Sequence, residues 1–200
     1  MRTARTDSPT KRKLLDAAQR LMRIQGYAAT SVEEICEAAK LTKGSFFHYF
    51  ESKEALGREL LQRFCASMET EAAQCRSMEP DPLKRVLAFV DGMIQAARAA
   101  GGGRACLLGT LAQELSDTHP GIRSVCAEGF ARTAVLLERD LAAAKARYAP
   151  RSSVEPKSLA EHFTAVVQGS RLLARATRDP KVLERNLRHF RRYLESVFGR

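Results

Sequence analysis

Residues 41 to 56, LTKGSFFHYFESKEAL, set Phe46, Phe47, His48, Tyr49 and Phe50 in a row between Lys43 and Lys53. On a helix Phe46 and Phe50 lie one turn apart and face inward, while Thr42, Lys43, Ser45, His48, Tyr49 and Lys53 offer hydrogen-bond donors and positive charge. That mixture suits recognition of phosphates and base edges. Its alternative is a core segment with solvated charges. A second chemistry centres on Cys106, which follows Gly101, Gly102, Gly103 and Arg104. The spacing predicts that it lies in the first turn of a helix, where exposed N–H groups and the positive dipole end favour a thiolate. Cys106 shares its predicted face with Gly109, Thr110 and Gln113, apart from the apolar stripe Leu108, Leu111, Ala112 and Leu115. A reactive thiol, a plain packed thiol and a thiol lining a reversible small-molecule pocket all remain open.

Composition narrows the partners. The chain has 200 residues, 44% of them apolar, with 33 Lys and Arg against 23 Asp and Glu, a formal net charge of +10. This balance favours an anionic partner, nucleic acid or an acidic membrane surface. No apolar run reaches the roughly 18 to 20 residues that cross a bilayer, and MRTARTDSPTKRK has no apolar core of a signal peptide, so a cytoplasmic protein is expected. Cys36, Cys65, Cys75, Cys106 and Cys126 are scattered, with no paired spacing that would hold zinc or a disulfide framework. Cys36 and Cys126 fall on apolar stripes, Cys65 lies beside one, and Cys75 is expected in a linker. No metal or cofactor is expected.

The elements that must position these groups are all helices, because almost every segment repeats near 3.6 residues and alternating β-branched runs are absent. Ser8-Pro9 starts the first helix, and Gly26 stops it. Ser31-Val-Glu-Glu34 is a capping box opening the second, and Thr42 caps a third that runs to about His48. A fourth begins at Ser52. The pattern breaks near QCRSMEPDP, residues 74 to 82, and five further helices follow. In the last two, Leu159, Phe163, Val166, Val167 and Leu173 mark one stripe and Leu183, Leu187, Phe190, Leu194 and Val197 another. The 4, 3 spacing of the second suits helix pairing in a dimer interface.

Helix two, a tight turn and helix three form a helix-turn-helix, whose second helix lies in the DNA major groove with its first residues at base edges. Lys43 can donate to guanine, Thr42 can bond a phosphate or offer its methyl to thymine, and Gly44 permits close approach, with Ser45 beside them. His48 and Tyr49 would reach the flanking backbone, and Lys53 would add a phosphate contact from the next helix. Arg2, Arg5, Lys11, Arg12 and Lys13 form a basic arm that could follow the phosphates or be a solvated tail.

TSVEEICEAAKLTKGSFFHYFESKEAL resembles the DNA-binding region of the TetR family of transcriptional repressors, through Thr30-Ser31, Ile35, Ala38-Ala39, Lys43-Gly44, Phe50 and Ser52-Lys53-Glu54. The resemblance spans about residues 10 to 58. It implies an all-α homodimer, with a helix-turn-helix three-helix domain at 8–56 and an effector-binding and dimerisation domain at 57–200. It also implies a palindromic double-stranded operator, repression, and release by a small-molecule or electrophile effector. On this basis Ser31, Thr42, Lys43, Gly44, Ser45, Phe47, His48, Tyr49 and Lys53 belong to the DNA-binding surface, and Leu159, Phe163, Val166, Leu183, Leu187, Phe190 and Leu194 to the dimer interface. Phe47 departs from the family, where a tyrosine commonly supplies a phosphate contact. GRACLLGTLAQEL is similar to a subgroup whose cysteine responds to electrophiles or oxidants, which would make Cys106, Thr110 and Gln113 a sensor.

Other functions fit less of the chain. HExxH, GxxxxGK[ST] and GxSxG are absent, and a thiol hydrolase at Cys106 would need a base that neither His119 nor His162 is placed to supply. His162 shares a face with Leu159 and Phe163 and is expected as a core histidine. A basic amphipathic protein acting on membranes or RNA would explain KVLERNLRHFRRYLESVFGR but not the first domain. No membrane partner is expected.

Overall fold

A computed structural model describes residues 8–76, 79–99 and 105–199, with the side chains of 71–76 left aside. Arg2, Arg5, the glycines 101 to 103, Arg104 and the Cys75 side chain therefore lie outside the described residues. Among those described there are nine helices: α1 (Pro9–Gln25), α2 (Val32–Ala39), α3 (Lys43–Tyr49), α4 (Lys53–Arg76), α5 (Pro82–Ala99), α6 (Leu107–Leu115), α7 (Pro120–Tyr148), α8 (Pro156–Thr177) and α9 (Val182–Val197). The all-α expectation and the order of the helices hold. α4 runs on to Arg76, so the backbone at Cys75 is helical rather than a linker.

The chain folds as two compact units, one of Met1–Ala66 with Ala105–Gly129, the other of Ser67–Arg104 with Phe130–Arg200. In the first, the caps legible in the sequence set the helix ends. Ser8 Oγ accepts from Thr10 N–H at 3.3 Å, with Pro9 in the first turn. Gly26 closes α1 at φ 89°, a left-handed-side conformation open to glycine and strained for other residues. Ser31 and Glu34 complete the reciprocal box at α2. Leu14, Ala18, Met22, Ile35, Phe46, Leu56, Leu60, Leu61, Leu111 and Ile122 are buried and form this unit's apolar interior.

The second unit is built around Leu83, Val86, Val90, Leu141, Phe163, Leu187, Phe190 and Leu194, drawn from α5, α7, α8 and α9. Asp81 anchors its start. One carboxylate oxygen accepts from the N–H groups of Leu83 and Lys84, both at 3.0 Å, and the other accepts from the Tyr148 hydroxyl. These bonds, led by the one from Tyr148, hold the Asp81 carboxyl below its ordinary range. Because the folded value is depressed, its contribution is present above the unfolded pKa, about 3.9, and is lost as pH falls through the folded value. Asp81→Ala is expected to cost about 1 to 2 kcal/mol of unfolding free energy in urea, the usual cost of a lost cap. In Asp81→Asn this share of the loss of stability on acidification should disappear.

Candidate functional site

The expected helix-turn-helix is formed by α2 and α3. Lys40 ends α2 in the left-handed conformation at φ 56°, which turns the chain sharply into α3. Phe46 is fully buried and packs on Phe50 at 5.6 Å between ring centres, so the inward aromatic face anchors the short helix as expected. The start of α3 and its outer face are open. Thr42, Lys43, Gly44, Phe47 and His48 are exposed, Ser45 and Tyr49 half-buried.

Several polar groups on this face have a first duty within the chain. Thr42 Oγ1 caps α3 by accepting from Ser45 N–H at 3.2 Å and lies 3.1 Å from Ser45 Oγ. Ser31 is bound into its capping box, so its hydroxyl sets the start of α2 before it could meet a phosphate. Tyr49 Oη shares a hydrogen bond of 2.9 Å with Ser8 Oγ, which fixes the start of α1 to the end of α3. Lys43 pairs with Glu33 on the surface, and this hydrogen bond holds the Glu33 carboxyl below its ordinary range. Exposed ion pairs contribute little, so Lys43 can exchange Glu33 for a stronger anion. Gly44 has no duty of this kind. A Cβ there would meet only Thr42 Oγ1, at 3.7 Å, so nothing inside the chain demands glycine. Close approach of an outside surface would.

Two cations expected at phosphates have partners within the chain. Lys53 does not stand free for a phosphate: its ammonium donates to the carbonyls of Tyr27 (3.0 Å) and Thr30 (2.8 Å) and sits 4.3 Å from the centre of the Tyr27 ring. Burial pushes its pKa down, and the carboxylates of Glu114 and Glu34 pull it back. Lys11 belongs to α1 rather than to an arm, where it is nearly buried, pairs with Glu59 at 2.6 Å and lies over the Phe50 ring. The loop that Lys53 grips is also held from α6, because Glu114 Oε2 accepts from the N–H groups of Tyr27 (2.9 Å) and Ala28 (3.0 Å).

Cys106 is the N-cap of α6, one residue before the first turn in which the spacing placed it, and its side chain makes no capping bond. It is buried, contrary to its expected place off the core, since only 8% of it reaches solvent. Thr110 is half-buried and Gln113 exposed, so the expected sensor face runs outward along α6. Helical spacing alone could not show what covers the N-cap. Cys126 from α7 is buried nearby, donates to Leu108 carbonyl oxygen at 3.7 Å, and is pushed up to about 11 by burial, with Cys65 and Cys106 adding to the shift. Gly129, one turn beyond Cys126, makes room for Cys65, whose Sγ would lie 2.7 Å from a Cβ at that position. Three buried thiols, from α4, the start of α6 and α7, thus gather in one unit. Cys36 is also buried, as expected.

In the second unit the expected interface residues turn inward. Leu159, Phe163, Leu183, Leu187, Phe190 and Leu194 are buried among α5, α8 and α9, and Val166 packs at their edge. The 4, 3 seam of α9 therefore builds the unit's own core, because α5 and α8 supply its partners within the chain. The face left open lies beside it. Leu172, Leu173 and Tyr193 are exposed, and His162, Val166, Gly169, Ser170, Asn186 and His189 border an open groove of about 390 Å³. His162 is exposed rather than core, with its ring edge-on to Phe190 at 5.5 Å and Tyr193 at 5.8 Å. A smaller cavity of about 40 Å³ lies between Met68, Val86, Phe89, Leu136 and Leu137, beside the Arg85–Asp140 pair at 3.0 Å.

Sequence reasoning missed Tyr27 and Glu114, which are 87 positions apart and carry no local signal. Leu173, expected on the stripe with Leu159, Phe163, Val166 and Val167, is instead exposed beside Leu172 on a second apolar face.

Comparison with known proteins gives two family models, one described as bacterial regulatory proteins, tetR family, matching residues 14–60, and one described as tetracyclin repressor-like, C-terminal domain, matching residues 82–190. The HTH-type transcriptional repressor NemR of Escherichia coli (strain K12) is 28% identical over 92% of this chain and 93% of its own length. The transcriptional regulator AcuR of Cereibacter sphaeroides is 30% identical over 84% of this chain and 78% of its own. The crystal structure of reduced E. coli NemR superposes with a TM-score of 0.79, covering 94% of this chain and 96% of that one.

Proposed function

The chain belongs to the TetR family of bacterial regulatory proteins, and from that premise we propose that it represses transcription as a homodimer on a palindromic operator and is released through a change at Cys106. The observation that carries this reading is the helix-turn-helix itself: α3 is capped by Thr42, anchored by Phe46, and exposed at Lys43, Gly44, Phe47 and His48. Residues 8–56 bind DNA, and 57–200 sense the effector and dimerise. Lys43 and Gly44 meet the groove, with Thr42 and Ser45 at its entry. His48 and Tyr49 flank the phosphate backbone, and Phe47 offers apolar contact to a thymine methyl or sugar in place of a phosphate bond. No described helix is long and apolar enough to cross a membrane. The apolar face of α9 is spent inside its own unit, which disfavours a membrane-binding role, and the reading places the protein with its operator in the cytoplasm.

Dimerisation falls to the outer face of α8 and α9, around Leu172, Leu173 and Tyr193. A two-fold pair presents its recognition helices to half-sites about 34 to 36 Å apart, so a small shift in either protomer weakens binding by a coupling of about 1 to 3 kcal/mol. The effector is an electrophile or oxidant. The Cys106 thiol is buried near that of Cys126, so a substituent on it is expected to need room that the start of α6 must give. NemR, the relative solved in a reduced form, lends weight to a thiol signal. The apolar cavity beside Arg85 and Asp140 favours a second reading, in which a small neutral ligand is the signal.

The test is binding to duplex DNA from upstream of its own gene at physiological salt, before and after iodoacetamide, for wild type and Cys106→Ser. Wild type should lose at least tenfold in affinity on alkylation while Cys106→Ser keeps its affinity. Equal responses would move the signal away from Cys106, and absence of specific binding would sink the operator reading.

A further inference from the structure

We infer that Glu114 is a positioning residue for operator binding, the point at which α6 holds the helix-turn-helix in its DNA-competent form; the regulatory part of this inference rests on the Cys106 reading above. The loop between α1 and α2 is gripped from two sides by opposite charges. On one side a single oxygen of Glu114 accepts the N–H groups of Tyr27 and Ala28. On the other, Lys53 donates to the carbonyls of Tyr27 and Thr30. The Tyr27 residue thus gives its N–H to a carboxylate and receives an ammonium at its C=O, so the two charges orient its flanking peptide dipoles in the same sense and strengthen each other.

The grip has little slack. Gly26, at φ 89°, brings the backbone so close that a Cβ there would stand 2.3 Å from Glu114 Oε1. Thr30, fully buried, ties the far end of the loop back by donating to the Gly26 carbonyl at 2.6 Å. The Tyr27 ring lies against the position of a Cβ on Gly57 at 3.3 Å and edge-on to His119 at 5.8 Å. From Thr30 the chain passes directly to Ser31, the cap of α2, and Lys53 opens α4 just after α3 ends. Both helices of the DNA-binding motif are therefore referenced to this loop.

Glu114 sits near the end of the nine-residue α6, and Cys106 caps its beginning. Eight residues at about 1.5 Å each separate them by about 12 Å along a single stiff element. A displacement of α6 by an ångström or so stretches both bonds to Glu114 beyond useful length at once. The loop then loses its negative clamp, and Lys53 keeps only half of the arrangement that set the spacing of α2 and α4.

Because both bonds end on one oxygen, Glu114→Gln can retain them through its amide oxygen, whereas Glu114→Ala cannot. The experiment measures operator affinity of wild type, Glu114→Ala and Glu114→Gln, each reduced and iodoacetamide-treated, together with hydrogen exchange at the Tyr27 and Ala28 amides. Reduced Glu114→Ala should bind about tenfold more weakly, with faster exchange at those two amides, and Glu114→Gln should stay within about threefold of wild type. Alkylation should weaken Glu114→Ala much less than wild type. A merely structural role would lower thermal stability in Glu114→Ala but leave the ratio of reduced to alkylated affinity unchanged, and that result would overturn the coupling. If wild type itself ignores alkylation, the thiol reading fails alone. The positioning role then stands on weakened binding in reduced Glu114→Ala restored by Glu114→Gln, and falls if reduced Glu114→Ala binds like wild type.

Discussion

Leu187→Ala should lower the unfolding free energy by about 2 to 5 kcal/mol, while Leu173→Glu, fourteen positions earlier on the neighbouring helix, should leave the fold intact and split the dimer. Leu187 is fully buried among α5, α8 and α9, so its truncation opens a cavity as well as losing apolar burial. Leu173 is about half exposed in the chain by itself and has no core to lose. A carboxylate placed there would face its own copy across a two-fold axis, where burial of like charge is costly. Urea unfolding and sedimentation at several protein concentrations separate the two effects. Should Leu187→Ala dissociate the dimer with its stability unchanged, the α9 seam would be the interface after all. Should Leu173→Glu remain a dimer, the exposed face of α8 would not be the contact.

Lys53→Met should weaken operator binding strongly, and for a reason other than a lost phosphate contact. The ammonium bonds two carbonyls and covers an aromatic face, and hydrogen bonds from charged donors contribute about 1.5 to 3 kcal/mol each. Its half-buried setting leaves a net loss of about 2 to 3 kcal/mol after allowance for solvent. The salt dependence tells the two roles apart. A lysine on a phosphate contributes about 0.9 to the slope of log affinity against log salt, so its removal lowers the slope. A lysine that positions the loop changes affinity and melting temperature while the slope stays as it was. Lys43→Met, on the exposed face, should do the reverse, lowering the slope with little effect on stability. A reduced slope for Lys53→Met with an unchanged melting temperature would restore Lys53 to the phosphate contacts.

Much of the protein could be read locally. The caps at Ser8, Ser31 and Thr42, the stop at Gly26, the inward pair Phe46 and Phe50, and the order of helices follow from hydrogen-bonding capacity and the 3.6-residue period, both properties of short segments. The exposure of Phe47 and His48 was legible for the same reason, since fixing Phe46 inside turns the next two positions outward, and Lys43 is open because it begins the helix. Their chemistry needed no partner from elsewhere in the chain.

What tertiary structure decided is which partner each amphipathic or charged group meets. Periodicity says that Leu187 and Leu194 are covered, but not whether by α5 and α8 or by a second copy; packing within the unit settled it. Charge says that Lys53 seeks oxygen, but two carbonyls 23 and 26 residues earlier reached it first. Helical phase put Cys106 off its stripe, yet the fold buries it near the thiol of Cys126, remote in sequence. Glu114 carries no local mark at all, because its acceptors' partners, the amides of Tyr27 and Ala28, are brought to it only when α1 and α6 pack. The sequence determines the elements and their faces because those depend on neighbours a turn away; the occupants of each face depend on contacts made across the chain, and only the folded molecule selects them.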